Sequence, residues 1–146
     1  MIIAVDFDGT IVEHKYPQIG KEIPFAIATL KRLQDEHHLL ILWSVREGKL
    51  LEEAVKYCRQ RGVEFYAVNS NYPQKISVEN SSCSCRKLKA DLFIDDCNMG
   101  GLPDWDVIYE MIHNKWSYEQ YFKEPHREED SGKEPLWRRL FERNKI

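Results

Sequence analysis

At 146 residues and 17.3 kDa, the chain has room for one compact domain; two independent ones would be small and poorly buried. Its 42% hydrophobic and 31% charged residues are a normal globular balance, not that of a disordered tail. A net charge of -3 argues against a generally basic nucleic-acid binder.

Residues Ile2–Phe7 form a short β-branched apolar run that ends in Asp6-Phe7-Asp8-Gly9-Thr10, a buried strand delivering acids to its C-terminal tip. Ile11–Glu22, with Pro17 and Gly20, reads as an irregular excursion. A helix is expected from Pro24 to about Glu36, with Ala26, Leu30 and Leu33 on one face. His37 and His38 close it and read as solvated residues placed favourably for the helix dipole. Leu39–Trp43 is a second strand, and Trp43 reads as a core residue. A second helix spans roughly Lys49–Arg61, with Leu51, Ala54, Val55 and Cys58 as its apolar stripe and Gly62 as its stop. Glu64–Val68 reads as a third strand and Asn69–Cys85 as a long polar loop. Leu92–Asp95 is a fourth strand, again ending in acids, Asp95-Asp96. Trp105, Ile108, Met111 and Ile112 then suit a further helix. The charged tail, residues 123–146, carries Leu136, Trp137, Leu140 and Phe141 at the spacing of one short helical face.

The longest apolar runs, Met1–Val5 and Leu39–Trp43, fall far below the roughly 20 residues of a membrane span. No basic stretch precedes a long apolar run, so the expectation is a cytoplasmic chain without a secretory signal or a membrane anchor. Its four cysteines, Cys58, Cys83, Cys85 and Cys97, then read as reduced thiols. The Cys83-Ser84-Cys85 pair has no second pair to complete a structural zinc site.

The alternation of strand and helix argues for an α/β fold, a parallel sheet with helices on both faces. Such sheets bind ligands at the C-terminal ends of their strands, where both acidic clusters fall. Acids at neighbouring buried strand tips repel one another and lose solvation, and a divalent cation relieves both costs. Asp6, Asp8, Asp95 and Asp96 therefore read as an all-oxygen magnesium site. Aspartate also caps turns, but two strand ends carrying acid pairs argue against capping alone.

The D-x-D-G-T ending of the first strand resembles the first motif of the haloacid dehalogenase-like (HAD) phosphohydrolase superfamily. Ser44 after the second strand, Lys87 before the fourth and Asp95-Asp96 at its end are similar to that family's remaining motifs, in the family's order. Arg86-Lys87-Leu88-Lys89-Ala90-Asp91 resembles the R-K-x-x-A-D of small members, which favours Lys87 over its competitor Lys89. The likeness covers about Met1–Gly101, within a hydrolase domain taken to span residues 1–122.

The resemblance implies a Rossmann-like three-layer sandwich with a mostly parallel sheet. It implies Asp6 as nucleophile forming an aspartyl-phosphate and Asp8 as the acid that protonates the leaving oxygen and then activates water. Mg²⁺ would be held by the Asp6 carboxylate, the Asp8 backbone carbonyl and Asp95, with Asp96 close by. The Ser44 hydroxyl would hold phosphoryl oxygens, Lys87 would offset their charge, and Gly9 and Thr10 would shape the turn and supply backbone donors. Arg46 and Glu47 would face the phosphate or open the second helix as surface charges.

Neither Ile11–Glu22 nor Asn69–Cys85 is long enough for a folded cap, so the chain resembles a small capless member. Its D-F-D-G-T, L-W-S-V-R-E-G and I-D-D segments are similar to those of a group of small bacterial and phage proteins, some associated with polysaccharide biosynthesis. The expected function is a magnesium-dependent phosphatase. Its substrate would be a phosphate monoester: a sugar phosphate, a nucleotide or a macromolecular phosphoester. The missing cap and aromatic tail make a homodimer an expectation. Two other classes remain: a receiver-like phospho-acceptor, whose motif order differs, and a non-catalytic binding protein on the same fold.

Overall fold

The computed structural model describes residues 1–73 and 87–123. Its elements run β1 Ile2–Val5, α1 Ala26–Asp35, β2 Leu39–Leu42, α2 Gly48–Gln60, β3 Ala67–Val68, β4 Leu92–Ile94, α3 Trp105–Asn114 and α4 Tyr118–Lys123. The chain divides into two compact units, Met1–Leu102 and Pro103–Ile146.

The first unit holds a four-stranded sheet of order β3-β2-β1-β4. Every pairing is parallel, with Val5 opposite both Leu42 and Ile94. The fold class is thus α/β with a Rossmann-like strand order. The chain builds outward from β1 through β2 to β3, then returns to place β4 on the other side of β1. That reversal puts the switch point of the sheet between β1 and β4, where open α/β sheets form their ligand crevice.

The central strands explain themselves. Ile3, Ala4 and Val5 of β1 and Leu40, Ile41 and Leu42 of β2 are all buried. Such continuous apolar runs mark strands covered on both faces. Ala67, Ile41, Ala4 and Phe93 are register partners in a row across the sheet. Leu88 joins Ala4, Ile41 and Ala67 in one buried cluster, against which Trp43 and Phe93 also pack. The Trp43 and Phe93 ring centroids are 5.2 Å apart, so Trp43 serves packing as expected.

Three boundaries differ from expectation by two residues or more. β1 stops at Val5 because the Phe7 carbonyl accepts from the N–H groups of Ile11 and Val12, turning the chain back on itself. α1 begins at Ala26 because Phe25 sits at φ 66°, which no helix residue adopts. β3 is two residues long; the Glu64 N–H goes to the Gln34 side chain at 2.8 Å instead of to a strand. In α2, Leu51, Ala54 and Cys58 are buried and Val55 only half so.

Gly62 stops α2 as expected. At φ 85° it donates to the Arg59 carbonyl while Val63 donates to that of Cys58, which satisfies the last open carbonyls of the helix. α1 ends in the same pattern, with His37 donating to Gln34 and His38 to Leu33. There the left-handed position is taken by His37 at φ 64°, where a Cβ is strained. His37→Gly is therefore expected to raise stability by about 0.5–1 kcal/mol, read as a higher denaturant midpoint. A lower midpoint would refute this account of the turn. His37 is exposed as expected, but His38 is half-buried. Burial first, and then the amino-terminal charge 3.1 Å from its ring, lowers its pKa.

In the second unit, α3 buries Trp105, Ile108, Tyr109 and Ile112. This is an i, i+3, i+4, i+7 stripe in which Tyr109, not Met111, holds the buried place. α4 was not expected, yet its start carries a capping box. Gln120 N–H donates to Ser117 Oγ at 3.2 Å, and Ser117 N–H donates to Gln120 Oε1 at 2.7 Å. The Cys83/Cys85 pair and the short helical face expected at 136–141 lie outside the described residues. No helix among the described residues is long and apolar enough to cross a membrane.

Candidate active site

Parallel pairing of β1 with β4 brings two acidic tips side by side. The Asp6 N–H donates to the Ile94 carbonyl at 3.0 Å, so Asp6 and Asp95 leave adjacent strands at the same level. Thr10 is fully buried and ties the two together. Its hydroxyl donates to Asp6 Oδ2 at 3.1 Å and accepts from the Asp96 N–H at 3.0 Å. Gly9 lies in between at φ 89°, and a Cβ there would collide with the Asp96 carboxylate. The residue following Asp8 must therefore be glycine for two reasons, conformation and space.

Asp6, Asp95 and Asp96 are half-buried. Burial raises the Asp6 carboxyl from 3.8 to about 7, the charges of Asp95 and Asp96 add to the rise, and hydrogen bonds from the Phe7 backbone and Thr10 oppose it. Asp95, Asp96 and Cys97 offer ligand atoms within 4.8 Å of one another. The neighbouring charges of Asp96 and then Asp95 raise the pKa of the Cys97 thiol, which favours its protonated form. The donors that remain are hard carboxylate oxygens, the set that suits Mg²⁺.

Asp8 is buried beside this group and meets Arg46. Arg46 Nε donates to Asp8 Oδ2 at 2.6 Å and Nη2 to Oδ1 at 2.7 Å. Arg46 is 0% exposed, so it is not a surface charge at the start of α2. Glu47, next to it, is exposed. The guanidinium also donates to the carbonyls of Pro17 and Gln18, both at 2.9 Å. These carbonyls belong to the Ile11–Glu22 excursion, an arm closed by Glu13 N–H to Lys21 O at 2.7 Å and Ile23 N–H to Ile11 O at 2.9 Å. Within this arm His14, Lys15 and Tyr16 are all exposed.

Ser44 leaves β2 at the neighbouring strand end and is buried. Its hydroxyl accepts from the Arg46 N–H at 3.2 Å, which leaves its own O–H to donate. Asn69 clamps this turn: Ser44 N–H donates to Asn69 Oδ1 and Asn69 Nδ2 to the Ser44 carbonyl, both at 2.8 Å. Asn71 treats the backbone of Lys89 in the same way, at 2.7 and 3.0 Å. Lys87 is exposed, with Nζ 5.8 Å from the Phe93 ring centroid. Among the described residues, neither Lys87 nor Lys89 forms an ion pair with the acids. Asp91 of the R-K-x-x-A-D segment anchors β1, accepting from the Ile2 N–H at 2.7 Å.

The sequence reading missed Asn69, Asn71 and the Arg46–Asp8 pair. An asparagine just past a strand is a usable signal for backbone clamping. Nothing in spacing signals a pair 38 residues apart.

No family model matches the chain. No curated protein matches it either. The solved structure of a conserved protein from Bacteroides thetaiotaomicron is 62% identical; the match covers 84% of this chain and 97% of that one, with a TM-score of 0.73. A D,D-heptose 1,7-bisphosphate phosphatase from B. bronchiseptica, solved with magnesium and phosphate, overlaps at 16% identity and a TM-score of 0.39, over 59% of this chain and 55% of its own. A likeness that slight has no bearing on activity.

Proposed function

The chain belongs to the same family as the conserved Bacteroides thetaiotaomicron protein; that kinship names no activity, and we propose one from the site. The protein is a magnesium-dependent phosphohydrolase that cleaves a phosphate monoester through an aspartyl-phosphate on Asp6. The observation that carries this reading is the convergence of Asp6, Asp95 and Asp96 at the β1–β4 seam, with one threonine hydroxyl joined to both strands. The HAD-like order of Asp6, Asp8, Ser44, Lys87 and Asp95-Asp96 supports it.

Asp6 attacks phosphorus in its ionised form, and the ester oxygen leaves. Asp8 gives the leaving oxygen a proton, then takes one from the water that cleaves the aspartyl-phosphate. The Ser44 hydroxyl donates to a phosphoryl oxygen, and Lys87 supplies positive charge on the approach. The Asp6 carboxylate, the Asp8 backbone carbonyl and Asp95, with Asp96 close by, would hold Mg²⁺, which when bound screens the repulsion between carboxylate and phosphoryl group.

With Mg²⁺, wild-type protein is expected to release phosphate from at least one class in a panel of sugar phosphates, nucleotides and phosphopeptides. Inactivity across the whole panel and against a generic aryl phosphate would overturn the proposal.

A further inference from the structure

We propose that Arg46 is the positioning residue for Asp8: it fixes the carboxyl group that exchanges a proton with the leaving group, and it ties that group to the Ile11–Glu22 arm. The inference rests on the phosphohydrolase reading above.

The geometry separates this role from that of a phosphate ligand. Arg46 makes four hydrogen bonds, two to Asp8 and one each to the carbonyls of Pro17 and Gln18. The guanidinium has about five N–H donors in all, so little is left for a substrate. Its flat face is also covered, with the ring centroids of Phe7 and Tyr16 at 5.1 and 5.4 Å. A group so enclosed reaches a phosphoryl oxygen only by giving up these contacts. Its partner, in contrast, is the D-x-D-G-T acid itself. One N–H to each Asp8 oxygen fixes the plane of the carboxyl group as well as its position.

Energetics point the same way. A buried ion pair is a weak stabiliser, and apolar residues of similar volume often serve a fold as well or better. The pair is best explained by what it orients. Arg46 connects three parts of the site, because its backbone N–H also reaches Ser44 Oγ while its side chain holds the arm. Lysine at this position keeps the charge but lacks the planar fork that makes two parallel bonds. For turnover Asp8 carries a proton on a lone pair that the two Arg46 N–H groups leave free, and that proton moves to the ester oxygen as the P–O bond breaks. Asp8 recovers it from the attacking water, and Arg46 keeps its own protons throughout.

The test compares two aryl esters that differ in their need for a proton. The leaving group of p-nitrophenyl phosphate departs as an anion, whereas that of phenyl phosphate depends on the acid. Wild type, R46K, R46Q and D8N are assayed on both esters with Mg²⁺, after each variant is shown to melt cooperatively. General acid catalysis contributes on the order of 10²–10⁴-fold. R46K and R46Q are thus expected to lose about 10-fold in kcat/KM, which reports the step that expels the leaving group, on p-nitrophenyl phosphate and at least about 100-fold on phenyl phosphate. D8N is expected to shift the ratio of the two esters in the same direction, and adding R46Q to D8N to shift it no further. If R46Q does not fold, R46K decides alone. Equal losses in kcat/KM on both esters would overturn the role of Arg46 while leaving the phosphohydrolase reading intact. Wild type inactive on both esters overturns that reading and this role with it.

Discussion

Asp6→Asn is expected to lower phosphate release by at least about a thousandfold and, at the same time, to stabilise the metal-free protein near neutral pH. The first effect follows because the amide is no nucleophile toward phosphorus. The second follows from the environment of Asp6. Burial and the charges of Asp95 and Asp96 raise its carboxyl from 3.8 to about 7 in the folded chain. At about pH 3 both folded and unfolded chains hold this proton. Between about 4 and 7 the folded chain holds a proton that the unfolded chain has released, so stability falls as pH rises through that window. Above it, the whole cost of an ionised Asp6 is present. Asparagine has no proton to lose and still accepts from Thr10. Thermal melts in EDTA at pH 4.5 and 7.5 check this: wild type loses Tm between the two, and Asp6→Asn loses less and ends higher. A variant that melts below wild type at pH 7.5 without metal would contradict it.

Magnesium is expected to reverse that cost, and Asp95→Asn to remove most of the reversal. A ligand at about a hundred times its Kd contributes about 2.7 kcal/mol to the state that binds it, on the order of 8 °C in Tm for a chain of this size. At pH 7.5 the wild-type shift should approach that figure. At pH 5, where Asp6 keeps its proton, the shift should shrink by more than half, because proton and cation compete for the same oxygens. Asp95 steps off β4 beside Asp6, so its loss removes a carboxylate from the seam, and less than about a third of the shift should remain. An unchanged shift in Asp95→Asn, or an equal shift at both pH values, would place magnesium elsewhere.

How far the residues alone disclose this molecule depends on the range of each interaction. The β1, β2 and β4 cores, the stripe of α2 and its stop at Gly62 were legible because they rest on local pattern and on glycine's conformational freedom. The acids at two strand tips were legible as well, since a strand followed by Asp states where its carboxyl group emerges. The β3 boundary was not, because Glu64 spends its N–H on Gln34, thirty residues away. Arg46 was read as a phosphate ligand or a surface charge, since its partner Asp8 and the carbonyls of Pro17 and Gln18 come from another part of the chain. α4 was missed even though Ser117 and Gln120 have capping-box spacing, because a helix of six residues is too short to show a helical period. Asn69 was passed over as part of a polar loop, yet its side chain sets the backbone of Ser44.

The Ile11–Glu22 arm is short, but it is bonded to Asp8 through Arg46. The arm, Asp8 and Ser44 are thus bonded through one residue. That arrangement holds still the carboxyl group proposed to transfer the proton.

The most direct measurement is of the bond the account requires. Wild-type protein is mixed with p-nitrophenyl phosphate and Mg²⁺, quenched in acid during turnover, and its peptides are mapped by mass. The account predicts a phosphoryl group on the peptide that contains Asp6, absent without Mg²⁺ and absent in Asp6→Asn. Continued phosphate release by Asp6→Asn at the wild-type rate, or a phosphoryl group carried on another residue, would contradict it.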